Sequence, residues 1–187
     1  TIVSSLKAFA MMKNYYGDEY ENRRIVIAEG STLPLGSHEI TFVAAPMVHW
    51  PEVMLAYETT DKLLFSADAF GKFGATDSTD DWACEARRYY FGIVGKYGVQ
   101  VQSLLKKLAD KPINAILPLH GPVLENNLGY YVNLYDKWSK YEAEDEGVTI
   151  AYTSVYGHTK QAAEKLAEEL KTRGVTVAMH DLARCDM

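Results

Sequence analysis

Cysteine is almost absent from this chain of 187 residues: there are two, Cys84 and Cys185, far apart in the sequence. With no signal-like apolar segment, that usage excludes a disulfide framework and makes a reducing cytoplasm the simplest expectation. Long apolar runs are missing too. None approaches the ~18–20 residues that cross a bilayer, so a soluble protein with no membrane partner is expected. Basic tracts are the third absence: 19 Lys and Arg stand against 25 Asp and Glu, for a formal net charge of −6, and no block of five cations occurs. Nucleic acid is therefore not an expected partner. What is present, 48% hydrophobic and 24% charged residues, matches an ordinary globular chain with a buried core.

The chain opens on "TIVSSLKAFAMMKNYY", with no initiator Met and with Leu6, Phe9, Ala10 and Met12 at helical spacing. This reads as the middle of a strand and helix. Strands are then predicted at Ile25 to Ala28 and Glu39 to Ala44, joined by a loop rich in Gly, Ser and Pro, and at Val53 to Tyr57 and Lys62 to Ser66, joined by a Thr-Thr-Asp turn. The polar loop "GATDSTDDW" leads to a helix from about Cys84 to Tyr97, a second helix over Val99 to Ala109, and a short strand, Ala115 to Pro118. "LENNLGYYVNLYDKWSKY" reads as a helix whose aromatic stripe faces the core. Cys84 reads as a buried or half-buried free thiol. "EAEDEG", Glu142 to Gly147, is acidic and nearly free of aliphatics, as a linker would be. Past it, "VTIAY", "KQAAEKLAEELKTRG" and "VTVAMHDL" form one β-α-β unit.

Between the first strand and the helix of that unit lies "TSVYGHT". A helix N-terminus presents unpaired N–H groups and the positive end of its dipole, which suits an anion. Ser154 and Thr159 add hydroxyls and Gly157 adds backbone freedom. No Gly-Lys-Ser/Thr ending is present, which favours a monophosphate over a triphosphate. An unliganded β-α connection fits the same residues equally well.

His49 in "APMVHWPEVM", Asp68 in "LLFSADAFG" and His120 in "ILPLHGPV" each follow a predicted strand. Imidazoles suit iron, zinc and similar ions, and a carboxylate can bridge two of them. Histidines hydrogen-bonded in turns beside Pro51 and Pro122, with Asp68 as a cap, would explain the same spacing.

Three motifs in order, "MVHWPEVMLAYETTDKLLFSADAFGKFGA", "PLHGPV" and "TSVYGHT" after a linker, resemble the flavodiiron proteins, also called A-type flavoproteins. The resemblance spans nearly the whole chain. It implies an α+β/α/β architecture: the C-terminal part of a metallo-β-lactamase-like αββα sandwich over residues 1–141, a linker over 142–147, and over 148–187 the first β-α-β unit of a flavodoxin-like doubly wound domain. It implies two iron ions, with His49 and His120 each a terminal ligand of one and Asp68 bridging both. It also implies FMN, its phosphate wrapped by Ser154, Val155, Tyr156, Gly157, His158 and Thr159, with His158 standing where Asn is usual. The family's His-x-Glu-x-Asp-His motif, which supplies the other ligands, is not in the sequence, and His38 in "GSHEITF" is not part of one. The expectation is a piece of a chain about twice as long, inactive by itself.

The activity implied is an oxidoreductase that passes electrons from FMN to the diiron centre and reduces O2 to water or NO to N2O. A rubredoxin-like or other small redox protein would be the donor, and the assembly a head-to-tail homodimer. Two other functions stay open: a zinc hydrolase of the metallo-β-lactamase type, and a metal-free FMN electron carrier.

Overall fold

The structure is a computed structural model that describes residues 1–75 and 81–185; the middle of the polar loop "GATDSTDDW" lies outside the described residues. The chain divides into two units, Thr1–Glu142 and Ala143–Met187.

In the first unit, β1 (Ile2–Ser5) runs into α1 (Leu6–Tyr16). Ser5 caps that helix, its hydroxyl accepting from the Ala8 N–H at 3.1 Å and filling one of the donors a helix start leaves open. β2 (Arg24–Ile27) pairs with β1 in parallel. The stretch read as a Gly-, Ser- and Pro-rich loop instead contains β3 (Thr32–Leu35), which forms a hairpin with β4 (His38–Ala44). Proline is tolerated there because β3 is the edge strand, where a missing N–H breaks no inner ladder.

β5 (Met54–Glu58), β6 (Leu63–Phe65) and β7 (Ala115–Leu117) complete a sheet of order β3-β4-β5-β6-β7. The pairs are antiparallel up to β6, whereas β6 and β7 run in parallel. A parallel pair needs a long crossover. Here it contains α2 (Trp82–Tyr89) and α3 (Gly98–Leu108). β4, β6 and β7 therefore all end at one edge of the sheet, which is what positions the candidate site.

The reading of a single helix from Cys84 to Tyr97 is corrected. α2 ends at Tyr89, a π-helical turn covers Tyr90–Val94, and a 3-10 turn covers Gly95–Tyr97. Glycine recurs at 92, 95 and 98 and weakens helical continuity. Gly98 also has a packing reason: a Cβ there would run into the Ser139 carbonyl oxygen and lie 2.9 Å from the Tyr141 hydroxyl. Cys84 is corrected as well; the thiol is exposed, because it stands in the first turn of α2 on the face opposite the buried Ala83 and Ala86.

α4 (Leu128–Ser139) carries the aromatic stripe, and Tyr135 and Trp138 are each 1% exposed. They pack with Phe70 and Tyr90 at ring separations of 4.4 to 5.5 Å, the offset and edge-on range in which such rings attract. Leu55, Leu64, Ile116 and Val43 supply the sheet's share of the core.

The second unit is β8 (Val148–Tyr152), α5 (His158–Thr172) and β9 (Val177–Asp181), with β8 and β9 parallel. α5 buries Ala163 and Ala167, small residues that let a helix approach a sheet closely. No described helix is long and apolar enough to cross a membrane.

Candidate metal centre and phosphate loop

His49 follows β4 in a tight loop. Ala45 N–H donates to Val53 O at 2.9 Å and Met47 N–H donates to Trp50 O at 2.8 Å. Val48, 1% exposed, plugs the core, and this anchor turns its neighbour His49 toward the sheet edge. Asp68 follows β6 in a loop whose Ala67 and Phe70 both hold positive φ, 51° and 65°. Left-handed backbone at non-glycine residues costs about 1–3 kcal/mol and persists only where the surroundings over-determine it. Here they do. The Ser66 hydroxyl donates to Ala69 O at 2.7 Å, the Phe70 N–H donates to the Tyr135 hydroxyl oxygen at 2.7 Å, and the Leu119 N–H donates to Ala67 O at 2.8 Å. The last of these ties the Asp68 loop to the one that carries His120.

The three predicted ligands meet. His49 Nε2 lies 3.2 Å from Asp68 Oδ2, and His120 Nε2 lies 3.9 Å from Asp68 Oδ1. One carboxylate thus offers each of its oxygens to a different imidazole. Two atoms bound to one ion at about 2.1 Å stand roughly 3.0–3.4 Å apart, so the His49 pair fits a shared ion and the His120 pair needs a small rotation. His120 Nδ1 is 3.0 Å from the carbonyl oxygen of Lys72. A carbonyl only accepts, so Nδ1 carries the hydrogen and, in the neutral ring, Nε2 keeps its lone pair for a metal. This is the usual outer support of a metal-binding histidine. Gly71 leaves room for the ring, since a Cβ there would strike the His120 imidazole. The donor set of two imidazoles and one bridging-capable carboxylate fits iron or zinc.

Sequence reasoning missed Tyr89. Its ring lies edge-on to His120 at 4.5 Å and to His49 at 6.4 Å. Its hydroxyl is buried and, among the described residues, has no hydrogen-bond partner. Burial, reinforced by the negative charge of Asp68, pushes the phenol up from its ordinary value, so the Tyr89 hydroxyl stays neutral and can donate a hydrogen bond. No signal in "EARRYYFG" separates it from Tyr90, because the two differ only in which side of the helix they face.

In the second unit, the loop residues Ser154, Val155, Tyr156, Gly157, His158 and Thr159 connect β8 to α5. The Gly157 N–H donates to Ser154 Oγ at 3.1 Å, and Gly157 sits at φ 90°. No side chain caps α5 and no acidic residue lies in its first turn, so its first amides and its dipole face outward unopposed. Val155 and Tyr156 are 88% and 89% exposed. The donor set fits a phosphate.

A short mixed sheet with a helical crossover, and with the candidate ligands His49, Asp68 and His120 after β4, β6 and β7, defines a metallo-β-lactamase-like protein. A family model described as "ODP family beta lactamase" matches residues 1–121, and the chain belongs to that family. Diflavin flavoprotein A 1 of Synechocystis sp. is 30% identical over all of this chain and 34% of its own length. A nitric oxide reductase of Moorella thermoacetica is 29% identical over 99% of this chain and 48% of its own. Among solved structures, rubredoxin oxygen:oxidoreductase from Desulfovibrio gigas superposes with a TM-score of 0.86 at 27% identity, over 98% of this chain and 48% of that one. The chain spans between a third and a half of the length of these relatives, whose names are those of a flavoprotein and of oxidoreductases.

Proposed function

We propose that residues 1–141 are the C-terminal part of a diiron domain, that 142–147 are a linker, and that 148–187 begin a flavodoxin-like domain that binds FMN. The observation that carries this reading is the Asp68 carboxylate with one oxygen toward His49 and the other toward His120. The chemistry supplied by a bound iron pair is capture and reduction of a diatomic oxidant, O2 to water or NO to N2O, with electrons delivered through FMN.

The residues of this chain have distinct parts in that reaction. Asp68 would be shared by the two metals and so keep both within reach of one small substrate. His49 and His120 would each hold one of them, and the Lys72 carbonyl orients His120. Tyr89, its ring against both imidazoles, offers its hydroxyl as a hydrogen-bond donor beside the site. Ser154, Gly157, His158 and Thr159 would hold the flavin phosphate with hydroxyls and the α5 amides, and Val155 and Tyr156 would complete the loop. The relatives' names support O2 or NO as substrate and a rubredoxin-like protein as donor. A head-to-tail homodimer would bring one subunit's flavin to the other's metals. A cytoplasmic location accords with the scarcity of cysteine.

The test is metal analysis of the protein that carries this chain, with flavin absorbance and anaerobic NO and aerobic O2 consumption under a reduced donor. Iron, flavin and turnover that Asp68→Asn abolishes are expected. Zinc, no flavin and ester or lactam hydrolysis would replace the reading with the hydrolase, and FMN without any metal would replace it with an electron carrier.

A further inference from the structure

The opposite end of the sheet carries a second set of ligating side chains. His38 opens β4, Glu58 closes β5, and Asp61 lies in the turn before β6. His38 Nδ1 is 3.3 Å from Glu58 Oε1 and 3.8 Å from Asp61 Oδ2, and one ligand atom from each of the three lies within 4.8 Å of the others. β4 has seven residues, so this cluster stands roughly 20 Å from the centre at the far strand ends, at about 3.4 Å per residue.

Three features separate it from an ordinary acidic patch. Glu58 is only 6% exposed, and its charge is met by the His38 ring and by backbone N–H groups. Among the described residues, neither Glu58 nor Asp61 pairs with a lysine or arginine; His38 is the partner of both. Glu58 is also held in place, its oxygens accepting from the Thr60 N–H at 2.7 Å and the Asp61 N–H at 2.6 Å. Fixing a carboxylate through backbone donors is what the outer shell of a metal site does.

We infer that His38, Glu58 and Asp61 form a site for one divalent cation of the zinc class, separate from the diiron centre. Two edges of the triangle suit a tetrahedral ion. Ligands about 2.1 Å from a tetrahedral ion stand roughly 3.4 Å apart, which is close to the His38–Glu58 separation and a small side-chain rotation from the His38–Asp61 one. An imidazole with two carboxylates selects Zn2+, Co2+ or Ni2+ over Ca2+ and Mg2+, and a water completes the fourth position. The ion offsets the repulsion between two carboxylates and clamps the β3–β4 hairpin to the β5–β6 turn.

The experiment uses the protein with its iron content already saturated, titrated with Co2+ and followed by the visible absorption of tetrahedral cobalt. One further equivalent is expected, displaced by Zn2+ but not by excess Ca2+. His38→Gln should weaken Co2+ at least about tenfold, the lower bound seen when even an outer-shell partner is lost. Asp61→Asn, in an exposed turn, should do the same should His38→Gln prove unstable. No stoichiometric cobalt, displacement by Ca2+, or binding indifferent to both His38→Gln and Asp61→Asn overturns the assignment.

Discussion

Tyr135→Phe and Tyr89→Phe remove the same atom from two buried tyrosines and should have opposite consequences for stability. The Tyr135 oxygen accepts the Phe70 N–H at 2.7 Å, and both residues are 1% exposed. Phenylalanine keeps the ring contact with Phe70, 4.4 Å between centroids, so the change isolates the hydroxyl. Without it the Phe70 amide is stranded away from water, which costs about 1–3 kcal/mol. For a domain of this size that is a fall in Tm of about 2–12 °C. Because Phe70 at φ 65° loses the bond that holds it left-handed, the loop relaxes two residues from Asp68. In Tyr89 the hydroxyl has no partner among the described residues, so deleting it removes a desolvated polar group and strands nothing. Stability should stay level or rise. Metal-free protein is the right material, since a bound metal's water would give Tyr89 a partner. Urea titration measures both variants, followed by iron uptake, which should drop for Tyr135→Phe and hold for Tyr89→Phe. Equal losses of stability, within about 0.5 kcal/mol, would refute the argument that the Phe70 bond holds the Asp68 loop.

Gly71→Ala should lower iron per chain with little change in the circular dichroism spectrum, because the new methyl displaces only the His120 ring; full iron content would show that His120 does not hold a metal there. Glu58 supplies a pH test. Burial opposes its ionisation, but the Asp61 and Thr60 N–H groups outweigh that and bring the carboxyl down to about 2. A depressed value means stability that is present above the unfolded value of about 4.3 and lost as pH falls toward 2. The stability gap between the wild type and Glu58→Gln, followed by urea titration, should therefore shrink from pH 5 to pH 2, and a constant gap would contradict the bond pattern. Gly157→Ala places a side chain at φ 90° with nothing within 4 Å of its Cβ. The cost, about 1–3 kcal/mol, is purely conformational and should appear as weaker FMN binding by fluorescence quenching, while Val155→Ala on the same loop changes little.

Much of the sheet was legible in the residues because burial on one face imposes a period of two that any reader of the sequence meets. β4, β5 and β6 were found in place within a residue or two at their ends. β3 was not, because Thr32–Leu35 pairs along one edge only, and its own Pro34 with its Gly and Ser neighbours carries the composition of a loop. The break after Tyr89 falls where Gly92, Gly95 and Gly98 weaken the helix, but the close approach of Ser139 and Tyr141 to Gly98, from some forty residues further along, was hidden.

By itself the sequence determined which residue types were available for chemistry: two histidines and an aspartate after strand-like segments, and a Ser, Gly and Thr loop before an amphipathic helix. Those are properties of local pattern. Tertiary structure alone decided that His49, Asp68 and His120 share one edge, because that depends on the parallel pairing of β6 with β7 across a crossover of nearly fifty residues. The same holds for the buried hydroxyl of Tyr89 and for the His38, Glu58 and Asp61 cluster. Each depends on side chains distant in sequence, the His49 and His120 rings beside Tyr89 and His38 beside Glu58, which only the pairing register of the strands and the packing of helices on the sheet bring together.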